Sequence, residues 1–150
     1  MKFRKRIFYF FIIFLVAVQF IRPRRNTGVP PIPQSFIDTF LPNDTVLNLL
    51  SNSCFDCHSN NTKYPWYTNV QPIGRLMANH INDGKKELNF NELAALSPRR
   101  RNSKFKSIAE QIQQDEMPLK SYLLIHRNAA LNETDKKVLI NFFQSKINNN

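Results

Sequence analysis

The two cysteines are the feature that most constrains the fold of this chain, because both lie in one short segment, CFDCH, at residues 54–58. They are the only cysteines among 150 residues. In a helical turn, residues three apart face the same side, and the residue four along lies beside them. Cys54, Cys57 and His58 are therefore predicted to point toward one place, around which the rest of the chain must fold.

The spacing Cys-x-x-Cys-His is the attachment signature of c-type haem. Each thiol would join one haem vinyl group as a thioether, and His58 would lie under the iron as the proximal ligand. Two alternatives stay open. A disulfide or thioredoxin-like site belongs in a βαβ context, which the sequence does not indicate. A zinc site needs four ligands, and only His80 and His126 remain to complete it.

Four residues are candidates for the sixth iron ligand: Met77, His80, Met117 and His126. Met117 precedes Pro118, and proline disfavours helix at the residue before it, so this methionine is predicted on a loop. Met77 and His80 lie in a helical pattern. We predict Met117 as the distal ligand, with His80, His126 or an open position as alternatives. His/Met ligation raises the reduction potential and closes the iron to other ligands.

Aromatic and proline residues near the motif are also assigned to the haem site. The stretch KYPWY contributes Tyr64, Trp66 and Tyr67, which either fill the core or donate to the haem propionates, because buried Tyr and Trp need polar partners. Trp66 is the predicted propionate donor. The carbonyl of Pro65 or Pro72 is predicted to accept the Nδ1–H of His58 and so to fix its tautomer.

The segments after residue 43 have helical periodicity, and we find no convincing β alternation. The fold class is therefore all-α, with a small core that needs a further group in its middle. The predicted helices are one capped by Asn43 or Asp44 that runs into Cys54, one from Pro72 that Gly84 stops, one from Ser97-Pro98 to Met117, and one that Asn132 caps with Asp135 as its capping-box partner.

Most of the net charge of +10 lies at the N-terminus. Residues 1–25 carry seven basic side chains and no acid, whereas the other 125 residues carry 14 basic and 11 acidic ones. A basic segment that flanks an apolar run is typical of a membrane segment and does not favour a nucleic-acid partner.

The apolar run extends from Ile7 to Ile21, with Gln19 as its one polar residue. As a helix it spans about 22 Å, which is less than the ~30 Å hydrocarbon core. Its end offers a poor A-x-A-like cleavage site, and basic side chains at both ends can snorkel. We predict an uncleaved transmembrane anchor, with a cleaved signal peptide as the alternative.

The predicted organisation has three parts: a transmembrane anchor at 1–21, a proline-rich linker at 22–42 and a c-type haem-binding domain at 43–147. A fully extended linker would hold the domain up to about 65 Å from the membrane. Four apolar residues, Phe36, Ile37, Phe40 and Leu41, are expected to dock on the domain and to shorten this reach. Because c-type haem is attached on the outer side of the bacterial cytoplasmic membrane, the domain is predicted to face the periplasm, anchored by a single pass in the inner membrane.

Four segments in this order resemble the bacterial haem-binding domain family: CHSNNTKYPWY, HINDGKKELNFNE, EMPLKSYLLIH and ALNETDKKVL. The resemblance covers roughly residues 44–146. It implies a small, cytochrome c-like helical domain around a covalent haem, held by Cys54 and Cys57 and ligated by His58, with Met117 on the distal side. It does not imply a reaction.

The expected function is one-electron transfer through a single His/Met-ligated haem c, with redox proteins in or at the membrane as partners. This makes the chain an electron carrier rather than an enzyme. One alternative is a haem-based sensor or gas-binding domain in which Met117 leaves the iron. The other is a peroxidase-like enzyme, which would need an open iron and His80 or His126 as a distal acid or base.

Overall fold

The computed structural model describes residues 2–30 and 32–148. Within these ranges the ordered elements are helices, and one isolated antiparallel bridge joins Thr27 to Asn61. The all-α prediction is therefore confirmed for the part of the chain described. The α-helices are α1 (Lys2–Val18), α2 (Gln34–Phe40), α3 (Asp44–Ser53), α4 (Phe55–His58), α5 (Ile73–Glu87), α6 (Phe90–Leu93), α7 (Pro98–Gln113), α8 (Lys120–Leu123) and α9 (Glu133–Asn148), and short 3-10 helices cover Trp66–Asn69 and Arg127–Ala129.

A cluster of buried phenylalanines forms the core where α7 and α9 pack together, and it also fixes the position of the cysteine motif. Phe55 lies between the two cysteines in sequence and inserts into this cluster, with its ring 5.2 Å from that of Phe90. Burying a side chain of this size contributes about 1.5–3 kcal/mol. The other rings of the cluster belong to Phe36, Phe40, Phe105 and Phe143.

Local signals predicted two helix starts correctly. The side chain of Asn43 accepts a hydrogen bond from the Val46 amide at 2.9 Å and caps α3. At α9, Asn132 and Asp135 form the predicted capping box: each side chain accepts from the other's backbone N–H, at 2.9 and 3.1 Å.

Two helix ends differ from the prediction. α5 does not stop at Gly84 but continues to Glu87, because Gly84 does not adopt the left-handed conformation with which a glycine ends a helix. α7 ends at Gln113, before the predicted Met117, because Asp115 adopts the left-handed conformation with φ 58°. The amides of Glu116 and Asp115 then bond to the carbonyls of Gln111 and Ile112, which is the Schellman arrangement for ending a helix.

Residues 22–30 and 32–42 of the proline-rich segment lie against the domain. The Gly28 amide bonds to the Asn60 carbonyl at 2.6 Å, and α2 places Phe36 and Phe40 in the core. The docking predicted for these two rings therefore occurs, whereas Leu41 remains exposed. Because the segment folds back in this way, the reach of about 65 Å for an extended spacer does not apply.

α1 presents its apolar side chains to the outside. Its 17 residues are followed by i→i+3 hydrogen bonds of Gln19, Phe20 and Ile21, so helical turns continue to the end of the apolar run. In the ranges that the structure describes, no helix combines the length and the apolar character needed to cross a membrane.

Candidate functional site

The cysteine motif forms one turn that directs three side chains into a cavity. Cys54 separates α3 from α4, and its carbonyl accepts hydrogen bonds from the amides of Cys57 and His58 at 3.2 and 2.9 Å. This turn brings Cys54, Cys57 and His58 into the lining of one cavity of about 530 Å³. A volume of this size is typical of sites that enclose a small molecule or cofactor.

The cavity is lined mainly by apolar groups of α5, α7 and the segment that includes α8. Ile108 and Ile112 contribute from α7. All four candidates for a sixth iron ligand, namely Met77, His80, Met117 and His126, also line it. An apolar enclosure that holds three histidines, two thiols and two thioethers is chemically suited to a hydrophobic macrocycle with a central metal.

The His58 ring is fixed by two backbone carbonyls. Its Nδ1 atom lies 2.9 Å from the Gly84 oxygen and 3.0 Å from the Leu88 oxygen. Carbonyl oxygens only accept, so Nδ1 must carry a proton and donate it. Burial lowers the pKa of His58 despite these two bonds, which favours the neutral ring. In that tautomer Nε2 keeps its lone pair, as a metal ligand requires.

The predicted proline partners of His58 are wrong, because both carbonyls have other donors. The Pro72 oxygen accepts from the amides of Arg75 and Leu76 at 3.1 Å and begins α5. The Pro65 oxygen accepts from the hydroxyl of Thr68 at 2.6 Å. The carbonyls that hold His58 come instead from the end of α5, which the sequence did not place beside the motif.

Three of the residues assigned to the site, Tyr64, Trp66 and Pro72, are not among the side chains that line the cavity. The Tyr64 hydroxyl accepts a hydrogen bond from the Asn26 amide at 2.7 Å, and the Arg25 guanidinium lies over its ring. Trp66 is 78% exposed. Tyr64 therefore secures the segment after α1, and Trp66 lies on the surface.

Burial gives the two free thiols high pKa values. The pKa of Cys54 rises to about 12 through burial and then through the charge of Cys57, and that of Cys57 rises to about 11 through burial and then through Asp56. A thioredoxin-like cysteine needs a lowered pKa, so these thiols do not fit that alternative. Zinc also lacks support: within residues 2–30 and 32–148, no cluster of three or more His, Cys, Asp or Glu side chains is arranged to hold a metal ion.

Gly84 is a site residue that sequence reasoning took for a helix stop. A Cβ atom on this residue would lie 2.9 Å from the Cys57 carbonyl oxygen and 3.3 Å from Cε1 of His58. The absence of a side chain lets α5 approach the motif closely enough for the Gly84 carbonyl to accept from His58. The available signal was a glycine inside a pattern that stays helical on both sides.

Gly84→Ala is therefore expected to destabilise the domain. At an open helix position this change stabilises by about 0.5–1 kcal/mol. Here the new methyl group meets backbone, so we expect a net loss of about 1–3 kcal/mol. Urea unfolding of the haem-loaded protein measures it, and Asn82→Ala at an exposed position of the same helix is the matched control. If Gly84→Ala and Asn82→Ala had the same free energy of unfolding, the close contact of Gly84 with Cys57 and His58 would be contradicted.

A polar network at the cavity was also missed, because its members are far apart in sequence. The Tyr122 hydroxyl donates to Asp56 at 2.9 Å, and the Tyr122 ring stacks on His126 with centroids 4.0 Å apart. The Tyr67 hydroxyl lies 2.7 Å from Nε2 of His126. Burial, followed by the charge of Asp56, raises the pKa of both tyrosines, which keeps their hydroxyls protonated.

Both ring nitrogens of His126 have partners in the same network. Its Nδ1 faces the Tyr122 carbonyl at 3.3 Å, which assigns the proton to Nδ1 and makes Nε2 the acceptor for Tyr67. A histidine whose Nε2 already accepts a hydrogen bond is a poor iron ligand and a poor free base. This arrangement does not favour His126 as the distal ligand or as the base of a peroxidase-like site.

Comparison with known proteins agrees with this chemistry. A family model described as a haem-binding domain matches residues 13–145, which include most of the chain and the whole cysteine motif. Searches of curated proteins and of solved structures each give no match. The match extends over α2 and into α1, and it confirms the resemblance carried by the motifs. The chain therefore belongs to the haem-binding domain family.

Proposed function

We propose that this chain is a membrane-anchored, periplasm-facing monohaem cytochrome domain that passes single electrons through a covalently attached haem. The observation that carries the proposal is the meeting of Cys54, Cys57 and His58 in one apolar cavity. The orientation of His58 supports it further, because the Nδ1 bonds to Gly84 and Leu88 leave Nε2 available to a metal.

Cys54 and Cys57 would hold the macrocycle through two thioether bonds. Each forms when the S–H of a thiol adds across a vinyl C=C, so nothing leaves and no oxidant is consumed. The buried, protonated state of both thiols is compatible with this addition, whereas it disfavours a thiolate–metal site. The proposed attachment therefore uses both cysteines and accounts for their spacing.

Bound haem would supply a one-electron Fe(III)/Fe(II) couple. The chain would supply two iron ligands and a mainly apolar enclosure. His58 would bind the iron through Nε2, and Met117 would bind it through its sulfur. Met117 follows the Schellman turn that ends α7, so it lies on a loop in the cavity lining. His80 lines the same cavity from α5 and is the alternative distal ligand.

The test of electron transfer against gas binding is the absorption spectrum of the reduced wild-type protein with and without carbon monoxide. An iron closed by His58 and Met117 is expected to give the same spectrum in both cases. A rapid spectral change on adding the gas would show an open or readily displaced distal position. That result would replace electron transfer with the sensor function.

The anchor is proposed to be α1 with the helical turns that follow it. Its exposed side chains are largely aromatic and aliphatic, and basic residues flank both ends. The run is shorter than a typical hydrocarbon core, but snorkelling of the flanking Arg and Lys side chains and local thinning accommodate such a mismatch. Haem attachment outside the cytoplasm then requires the N-terminus inside and the haem domain in the periplasm.

Cell fractionation tests the anchor. We expect the full chain in the membrane fraction after a high-salt wash, with a mature sequence that begins at or near Met1. Both results follow if Ile7–Ile21 stays in the bilayer uncleaved. A soluble product that begins near residue 20 would show instead that a signal peptide was removed.

A further inference from the structure

The end of α1 is fixed to the domain at one defined corner. The Gln71 amide donates to Oε1 of Gln19 at 2.9 Å, and Nε2 of Gln19 donates to the Gln71 carbonyl at 3.3 Å. A few residues later, Arg25 donates to the side chain of Asn69 at 2.7 Å. Gln71 itself is buried, so this contact lies within the fold rather than on a loose tether.

Most of the exposed large apolar side chains outside α1 lie around this corner. We define the corner surface by six of them: Trp66, Val70, Ile73, Leu76, Leu124 and Ile125. The first four belong to the 3-10 helix Trp66–Asn69, the turn at Gln71 and the start of α5. The last two directly precede His126, whose bond to Tyr67 holds their segment against the same 3-10 helix.

The corner surface borders one side of the cavity opening. Ile73, Leu76 and Ile125 are exposed and also line the cavity, so they mark its mouth. Trp66, Val70 and Leu124 are exposed but do not line it, so a cofactor in the cavity would leave them uncovered. An apolar surface of this extent normally has an occupant.

The segments that carry the corner surface are basic, whereas the acidic residues Asp56, Asp83 and Glu87 lie elsewhere on the cavity lining. Residues 57–82 and 117–132 contain no aspartate or glutamate. The same segments contribute the exposed basic residues Lys63, Arg75, Lys120 and Arg127, and Arg22 and Arg24 follow α1 directly. Apolar side chains with an exposed tryptophan and a basic surround are the composition that suits the interface of an anionic bilayer.

We infer that the corner surface docks on the headgroup region of the bilayer that holds α1, so that the side of the cavity mouth formed by Ile73, Leu76 and Ile125 faces the membrane surface. This inference rests on the proposed anchoring. Because Gln19 lies two residues before the end of the apolar run and is bonded to Gln71, the bilayer surface lies only a few residues from the corner surface. That continuity selects the bilayer over a separate protein as the occupant, and redox partners would be reached at the level of the membrane.

Spin labelling of the haem-loaded full chain in vesicles of phosphatidylcholine and phosphatidylglycerol tests the inference. Haem attachment consumes both native thiols, so Val70→Cys and Leu124→Cys each provide one site for a nitroxide. Asn141→Cys, at an exposed position of α9, is the control. An unchanged haem spectrum verifies the fold of each variant. Flotation of the vesicles measures anchoring separately in every sample.

We expect nitroxides at 70 and 124 to collide severalfold more with oxygen, which partitions into lipid, than with a water-soluble nickel complex. The nitroxide at 141 should show the reverse preference, and removing phosphatidylglycerol should raise nickel access at 70.

Nickel access at 70 and 124 in protein that floats would overturn the docking and leave the anchor intact. Protein that does not float would overturn both. Dipolar broadening between labels at 70 would show that a second copy covers the surface, which also overturns the inference.

Discussion

Cys54→Ala combined with Cys57→Ala is expected to abolish covalent haem in protein exported with a haem-ligation system. Either single variant should retain one thioether, and its haem absorption maximum should shift relative to that of the wild type. The physical reason is that no other side chain of the motif can form a thioether, and His58 and Met117 supply only coordinate bonds. Haem staining after denaturing electrophoresis, together with acid–organic extraction, measures the covalent fraction.

The double variant should also be far less stable than the wild type. In the proposed site, haem would fill the cavity of about 530 Å³, and a small domain gains much of its stability from a group bound only in the folded state. Asn52→Ala, at an exposed position of α3, is the control and should keep its haem. Wild-type levels of covalent haem in the double variant would contradict the attachment sites.

Met117→Ala is expected to give the second large effect, a change in the axial ligation of the iron. A thioether sulfur on ferric haem produces a weak charge-transfer band in the far red, and His/Met ligation raises the potential. Loss of the sulfur should abolish the band, lower the potential and allow the reduced iron to bind carbon monoxide. Absorption spectroscopy and redox titration measure these changes.

Met77→Ala and His80→Ala are the matched controls, because both residues line the same cavity. Each variant should keep the far-red band. A high-spin, gas-binding iron in His80→Ala, with no change in Met117→Ala, would instead assign both axial positions to histidines. Electron transfer at a lower potential would survive that outcome, whereas the role of Met117 would not.

The parts of the fold that depend on local sequence could be predicted. The Asn132–Asp135 capping box and the Asn43 cap act within three residues, and both are present as expected. The ends of α5 and α7 depend on features that composition does not reveal. Gly84 lies where Cys57 and His58 pack closely against α5, and this contact is not visible in the local sequence. Asp115 takes a left-handed conformation that glycine more commonly adopts.

The candidate site was likewise predictable where it depends on local sequence and not where it depends on distant residues. The spacing of Cys54, Cys57 and His58 was enough to predict that one turn directs them to one place. The partners of His58 were not predictable, because the carbonyls of Gly84 and Leu88 come from 26 and 30 residues away. For the same reason the sequence predicted nearby aromatic residues such as Trp66 at the haem site, whereas Tyr122, which is distant in sequence, lines the cavity.

The exported chain is expected to carry haem covalently on its two cysteines. The most direct measurement is the intact mass of the wild-type full-length protein under denaturing conditions after acid–organic extraction, followed by peptide mapping. We predict a polypeptide that is heavier by one haem, with the added mass on the peptide that contains Cys54 and Cys57. A polypeptide at the unmodified mass, with all haem in the organic phase, would contradict covalent attachment to Cys54 and Cys57.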